Sequence, residues 1–220
     1  MAIDFMAKPG AYYSGIRAEM LHYVPEKATC ILEVGCGEGN FGASLKKEGV
    51  TVWGVEYSAE EAAVAGAKLD RVLSGDILMN MDQLPENYFD VIVCNDVLEH
   101  LTDPYTVLEK FKDKLKPDGV VISSIPNIRF FRTLFDFVVR KNWDYTDNGI
   151  MDKTHYRFFT VNSIRKMYET LGYKVLRHEG INATKSIKPL LWNLLSFGMF
   201  WDIKYLQFAT VATLLKKMES

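Results

Sequence analysis

The sequence predicts an α/β fold of the doubly wound kind, with a mostly parallel sheet covered by helices on both faces. Three observations predict it. Short apolar runs alternate with stretches of helical periodicity. The first run breaks into alternating glycines, at Gly35, Gly37 and Gly39. Polar residues, Glu33, Glu56, Asp76 and Asn95, fall at the carboxyl end of each of the first four runs, where open parallel sheets bind ligands.

The strand expectations, in chain order, are residues 30–34, 51–55, 71–73, 89–94, 119–124, 173–179 and 205–214. A helix follows the glycines from about Asn40, and its span between Gly42 and Glu48 ends at Gly49, a C-cap residue. Pro104 opens a later helix, where its missing N–H does no harm. Lys116-Pro117-Asp118-Gly119 is turn chemistry.

Residues 31–42 carry most of the functional information. Glycines without Cβ let the backbone take positive φ and let a ligand approach the main chain. The first N–H groups of the following helix then face that ligand. Gly37, Gly39 and Gly42 satisfy the G-x-G-x-x-G spacing, and Glu56 lies nineteen positions after Gly37, placed to accept from ribose hydroxyls. Nicotinamide cofactors and S-adenosylmethionine share that ribose. Three features favour the second. Glu33 interrupts an apolar strand, where a carboxylate is costly unless bonded, and it can help hold an ammonium. Gly75-Asp76-Ile77 suits an adenine edge and face. Residues 89–101 read as a buried strand, a polar mouth and a helix.

These motifs, with Leu98-Glu99-His100-Leu101 and Leu115-Lys116-Pro117-Asp118-Gly119, occur in the order of class I S-adenosylmethionine-dependent methyltransferases. The chain resembles that family from about Tyr12 to about Thr184. It is similar to the group containing the ubiquinone-biosynthesis O-methyltransferases, and more similar still to methyltransferases that accompany bacterial glycan and polysaccharide glycosyltransferases. The resemblance implies a Rossmann-like sheet of seven strands with the last antiparallel, a reversal that local pattern does not show. It implies S-adenosyl-L-methionine against Tyr13, Arg17, Glu33, Gly35, Cys36, Gly37, Gly39, Glu56, Tyr57, Asp76, Ile77, Asn95, Asp96 and Val97. An aromatic beside a sulfonium is favourable through cation–π attraction, and Arg17 can pair with the cofactor carboxylate.

Composition bounds the rest. At 220 residues and 48% apolar content, one domain is expected, spanning 1–220, with lid or substrate segments at 127–160 and 185–203. A net charge of −2 offers no field for nucleic acid, and residues 95–98 carry no Asn-Pro-Pro-Tyr signature. The three cysteines form no metal-ligand spacing, so no metal is expected; they fit a reducing cytoplasm, and Cys36 reads first as a small apolar residue. The N-terminus lacks a secretion pattern, and no apolar run is long enough to span a bilayer.

For the chemistry, His155 in Asp152-Lys153-Thr154-His155-Tyr156-Arg157-Phe158-Phe159 is the expected general base, with Asp152 to orient it and His100 as the second choice. A similar stretch occurs in the glycan-associated methyltransferases. Tyr156 and Arg157 are expected to meet the acceptor, Arg157 by gripping an anion in bidentate fashion. The acceptor is expected to be a sugar or glycan hydroxyl or another small polar metabolite. The rivals are a nicotinamide-dependent oxidoreductase, which lacks its Tyr-x-x-x-Lys pair because Gly172 follows Tyr168 at that spacing, and a non-catalytic cofactor-binding subunit. Segments 127–148 and 187–201 are rich in apolar residues, with Arg129, Arg132, Arg140 and Lys141 interspersed in the first. They can cover the sheet or each other, close as a lid, form a homodimer face, or rest on a membrane, the last not favoured.

Overall fold

Seven strands pair into one sheet in the order β3-β2-β1-β4-β5-β7-β6. The computed structural model describes residues 15–215. The strands are β1 (Cys30–Val34), β2 (Thr51–Glu56), β3 (Arg71–Ser74), β4 (Phe89–Asn95), β5 (Leu115–Pro126), β6 (Tyr173–Ala183) and β7 (Tyr205–Leu214). Neighbours among β1 to β5 pair in parallel, whereas β7 runs antiparallel to both β5 and β6. The reversal implied for the last strand is therefore present, and β7 slots between β5 and β6.

Alternation along the strands divides the core. Ile31, Val91 and Val93 face one layer; Leu32, Val34, Ile92 and Cys94 face the other. Both faces are buried, so these strands read as continuous apolar runs. Helix α1 (Asn40–Leu45) follows the glycines and is shorter at its C-terminal end than expected. Helices α2 (Ala59–Gly66) and α3 (Ile77–Asn80) follow β2 and β3. Helix α4 (Pro104–Lys114) starts with proline in its first turn, and Asp103 caps it by accepting from the Tyr105 and Thr106 amides, a contribution of ~1 kcal/mol. Its Val107, Leu108 and Phe111 pack on the sheet. The remaining helices are α5 (Phe131–Val138), α6 (Val161–Thr170) and α7 (Lys188–Leu195). A reciprocal pair, Thr160 and Ser163, caps α6 and directs Ile164, Met167 and Tyr168 into the core.

β2, β3 and β4 each run one residue past the sequence pattern, and β5 and β6 exceed it by more. β5 begins at Leu115, opposite Phe89, and resumes pairing at Val120, opposite Val91. Residues 116–119 bulge between those pairs, so the turn chemistry sits inside the ladder. β6 continues past Glu179 because β7 offers it a partner as far as Tyr205.

At the other end of the sheet, Asp90 ties three elements. Its carboxylate accepts from the Thr29 amide and hydroxyl, the Cys30 amide and Lys116 Nζ. Burial works against ionisation, but these donors outweigh it and hold the carboxyl at about 2. A lowered pKa makes this stabilisation complete above the ordinary carboxylate range and progressively lost as pH falls toward 2. Asp90→Asn should cost about 1–2 kcal/mol near neutral pH. Urea unfolding should show that deficit shrinking in acid; a pH-independent deficit would contradict the assignment.

Candidate functional site

The glycine turn is shaped by backbone geometry first. Gly35, Gly37 and Gly39 all sit at positive φ, 67°, 52° and 76°. A Cβ on Gly35 would lie 2.6 Å from Val97 Cγ2, so the turn after β1 and the turn after β4 approach each other only through glycine. Two buried carboxylates then hold the turn. Glu33 Oε2 accepts from the Gly42 amide at 2.9 Å, inside the first turn of α1. Glu56 accepts from the Gly37 amide at 2.8 Å and from the Ser58 amide at 3.0 Å. Burial raises both carboxyls, Glu33 to about 8, with the Glu56 charge adding to the effect on Glu33.

The turn opens on a cleft of about 540 Å³ at the carboxyl ends of β1, β2 and β4, the size of a small-molecule site. Arg17, Glu33, Gly35, Cys36, Gly37, Glu56, Tyr57, Asp76, Ile77, Asn95, Asp96 and Val97 all line it. Gly39 is set back, as the residue preceding α1, with Ala65 and Leu69 against it. Tyr13, expected to cover the cofactor, lies outside the described residues.

Several side chains have duties in the structure that the sequence did not show. The Asp76 carboxylate accepts from the Leu78 amide and caps α3. Arg17 is not a lone cation: it pairs with Asp96 and Glu19 and donates to Ser124 and Gln207. Asp96, held at φ 56°, also accepts from Gln207. The Cys36 thiol is pushed up by burial and by the Glu33 and Glu56 charges. It packs where Gly54 leaves room, as a small apolar group rather than a thiolate.

The other wall is built by the 3-10 turn Leu98–His100 and the segment around residues 149–157. The Tyr156 and Arg157 amides both donate to the Glu99 carbonyl, at 2.9 and 3.1 Å, and so hold the two pieces together. His155 Nδ1 lies 2.9 Å from the Ile150 carbonyl. A carbonyl only accepts, so Nδ1 carries the proton and Nε2 keeps its lone pair in the neutral ring. The acceptor for the His155 ring is thus the Ile150 carbonyl, while the Asp152 carbonyl accepts from the His155 amide at 3.0 Å. The Asp152 carboxylate instead accepts from the Thr154 amide and hydroxyl. The Thr154 hydroxyl oxygen and carbonyl in turn lie 3.1 and 3.2 Å from His100 Nδ1. Asp152 therefore positions His100 through Thr154. The two imidazoles stand edge to face at 4.6 Å.

Glu99 completes this cluster and was not singled out from the sequence. Its available signal was an acid between Leu98 and Leu101, beside His100, just past a buried strand. The side chain is buried, and neither carboxylate oxygen has a hydrogen-bond partner; both polar atoms of the Asn95 amide are in the same position. One donor atom each from Glu99, His100 and His155 lies within 4.8 Å of the others. Buried groups of this kind are ordinarily satisfied, so the cleft presents polar groups suited to a ligand. Arg157 does not join them. Arg157 itself is not among the lining residues; its guanidinium donates to the carbonyl of Thr102, which lines the cleft, and so ties the segment to the turn after β4. Tyr156 does line the cleft. Segment 185–203 contributes nothing to the lining, and of 127–160 only residues 149–156 do.

Burial pushes the Glu99 carboxyl up to about 8, with the Asp152 charge adding to it. A raised carboxyl stabilises the fold in acid, and the contribution is lost as pH rises through about 8. Glu99→Gln should be more stable than the parent at pH 8 by ~1–3 kcal/mol, with the gap closing at pH 5. Urea midpoints at both pH values test this, and an equal gap at both would refute a buried, protonated Glu99.

Comparison with known proteins agrees with this geometry. A family model described as a methyltransferase domain matches residues 8–178. A ubiquinone biosynthesis O-methyltransferase of Aliivibrio fischeri is 30% identical over 204 residues, 87% of this chain and 83% of that one. The protein of the same description from Actinobacillus pleuropneumoniae is 33% identical over 121 residues, 49% of this chain, and there the match spans about half of the relative, 52%. Among solved structures, a SAM-dependent methyltransferase of Archaeoglobus fulgidus superposes with a TM-score of 0.66 at 19% identity, covering 89% of this chain and 91% of that one. The Haloferax volcanii complex of the Trm112 methyltransferase activator and a putative methyltransferase gives 0.65 at 14% identity, covering 96% of each chain. At such identities the superpositions speak for the fold alone.

Proposed function

We propose that this chain, which belongs to the class I S-adenosylmethionine-dependent methyltransferases, methylates a hydroxyl oxygen with His155 as general base. S-adenosylmethionine supplies a methyl group on a sulfonium, already bonded to a good leaving group. The Gly35–Gly37 backbone, Glu56 and Asp76–Ile77 would hold its adenosine, and Glu33 and Arg17 its amino-acid end. The open glycine turn and the unsatisfied Asn95 amide fit such a guest.

The observation that carries the acceptor chemistry is the setting of His155. Its Nδ1–H is fixed on Ile150 and the residue lines the cofactor cleft, so Nε2 can take the proton from an acceptor hydroxyl as the new bond to oxygen forms. Glu99 and His100 flank it and can accept hydrogen bonds from the acceptor. The protein's main contribution is alignment of oxygen, methyl and sulfur. A phenol is the acceptor best matched to an imidazole base, because its pKa of about 10 is the nearest among hydroxyls. The curated relatives are named as O-methyltransferases of ubiquinone biosynthesis, which supports oxygen as the methylated atom, and a glycan hydroxyl is the second class to screen.

His155→Gln should lower turnover about a hundredfold or more while calorimetry shows S-adenosylmethionine binding intact. Unchanged turnover would remove His155 from the chemistry. Dialysis against a chelator should leave turnover unchanged. A loss restored by a divalent cation would instead assign the cluster of Glu99, His100 and His155 to metal binding.

A further inference from the structure

The two apolar segments that the cleft does not use form one exposed surface. No residue of α5 is buried, and in α7 only Pro189 is. They are linked to each other: the Phe135 and Trp192 rings lie 6.2 Å apart, and Arg129 forms a forked pair with Asp202 beyond α7, at 2.7 and 3.1 Å. Much of the surface is nonetheless open. Phe197 is 100% exposed, Leu195 81%, Met199 75% and Leu194 74%, with Phe137 and Val138 of α5 also open. Large side chains clustered this way mark a docking surface rather than incidental exposure.

Charge says what docks there. Residues 127–148 and 184–204 carry seven basic side chains and four acidic ones, in a chain whose net charge is −2. Three of the acids are engaged, Asp136 by Arg140, Asp202 by Arg129 and Asp147 by Lys153. Arg132, Lys141, Lys185, Lys188 and Lys204 have no ion-pair partner among the described residues. We propose that this face docks on an anionic lipid bilayer, with the apolar side chains entering the headgroup boundary and the five cations meeting lipid phosphates. A second copy of the chain fits worse: an isologous contact would set the same five cations against themselves.

The face also leads to the site. Phe137 meets Trp143 at 5.2 Å, Trp143 meets Phe158 at 5.6 Å, and Phe158 meets His155 at 6.2 Å. An acceptor carried in the bilayer would thus follow an aromatic path to the base. The docking itself does not depend on the acceptor assigned above.

Co-sedimentation of the full chain with vesicles of phosphatidylcholine, with and without phosphatidylglycerol, tests the proposal. Binding is expected with the anionic vesicles at low salt and should weaken as salt screens it. Two variants, Leu194→Glu/Leu195→Glu and Lys185→Glu/Lys188→Glu, should each lower partitioning by about tenfold or more. Calorimetric binding of S-adenosylmethionine should be unchanged in both, which shows that fold and cleft survive; failure of that binding in the parent chain would instead strike at the enzyme class. Absence of binding at low salt, equal binding to both vesicle types, or binding that survives both variants would overturn the proposal. So would a solution dimer that the leucine variants dissociate, because a second copy would then cover the face.

Discussion

The structure depends on a short turn whose backbone cannot be built from ordinary residues and whose amides are held by buried carboxylates. Gly35 must lack a Cβ for the turns after β1 and β4 to approach. Glu33 and Glu56 then accept from Gly42 and Gly37, which fixes where α1 begins and leaves the cleft open beside it. Carboxylates in so buried a place are costly unless bonded. The two acids proposed above to meet the cofactor are therefore also part of the fold's own hydrogen bonding. Binding and folding share these side chains, and neither acid can be replaced without affecting both.

The second wall follows a different principle. It is assembled from a 3-10 turn after β4 and a segment after β5, joined by two amides on the Glu99 carbonyl. Main-chain carbonyls set the histidines: Ile150 orients His155, and Thr154, steadied by Asp152, orients His100. The result is two imidazoles with defined tautomers beside a carboxyl that burial keeps protonated near neutral pH. The glycine-turn wall, by contrast, is bonded internally through Glu33 and Glu56. The second wall leaves both oxygens of the Glu99 carboxyl without an internal partner.

Much of this was legible because the relevant signals are local. Apolar runs locate all seven strands, and β1 and β7 have the bounds the pattern suggests. Alternating glycines locate the turn, and strand-end acids locate the cleft. Where a side chain's partner is distant in the chain, the reading was incomplete. Arg17 pairs with Asp96 and Gln207 instead of standing alone, Arg157 turns to Thr102, and Glu99 meets His155 only after the segment beyond β5 folds back. No helix among the described residues is long and apolar enough to cross a membrane, in line with the lack of a spanning run.

The sequence by itself determined the alternation of elements, the positive-φ turn, the cofactor class and the presence of a histidine suited to proton transfer. Each follows from residue type and spacing within one or two elements, where backbone sterics and burial act locally. Tertiary structure decided the insertion of β7 between β5 and β6, the tautomers of the two histidines, the burial of Glu99, and the exposure of α5 and α7. Those depend on which surfaces meet across long loops, and periodicity cannot distinguish an apolar face that finds a partner from one that is left open.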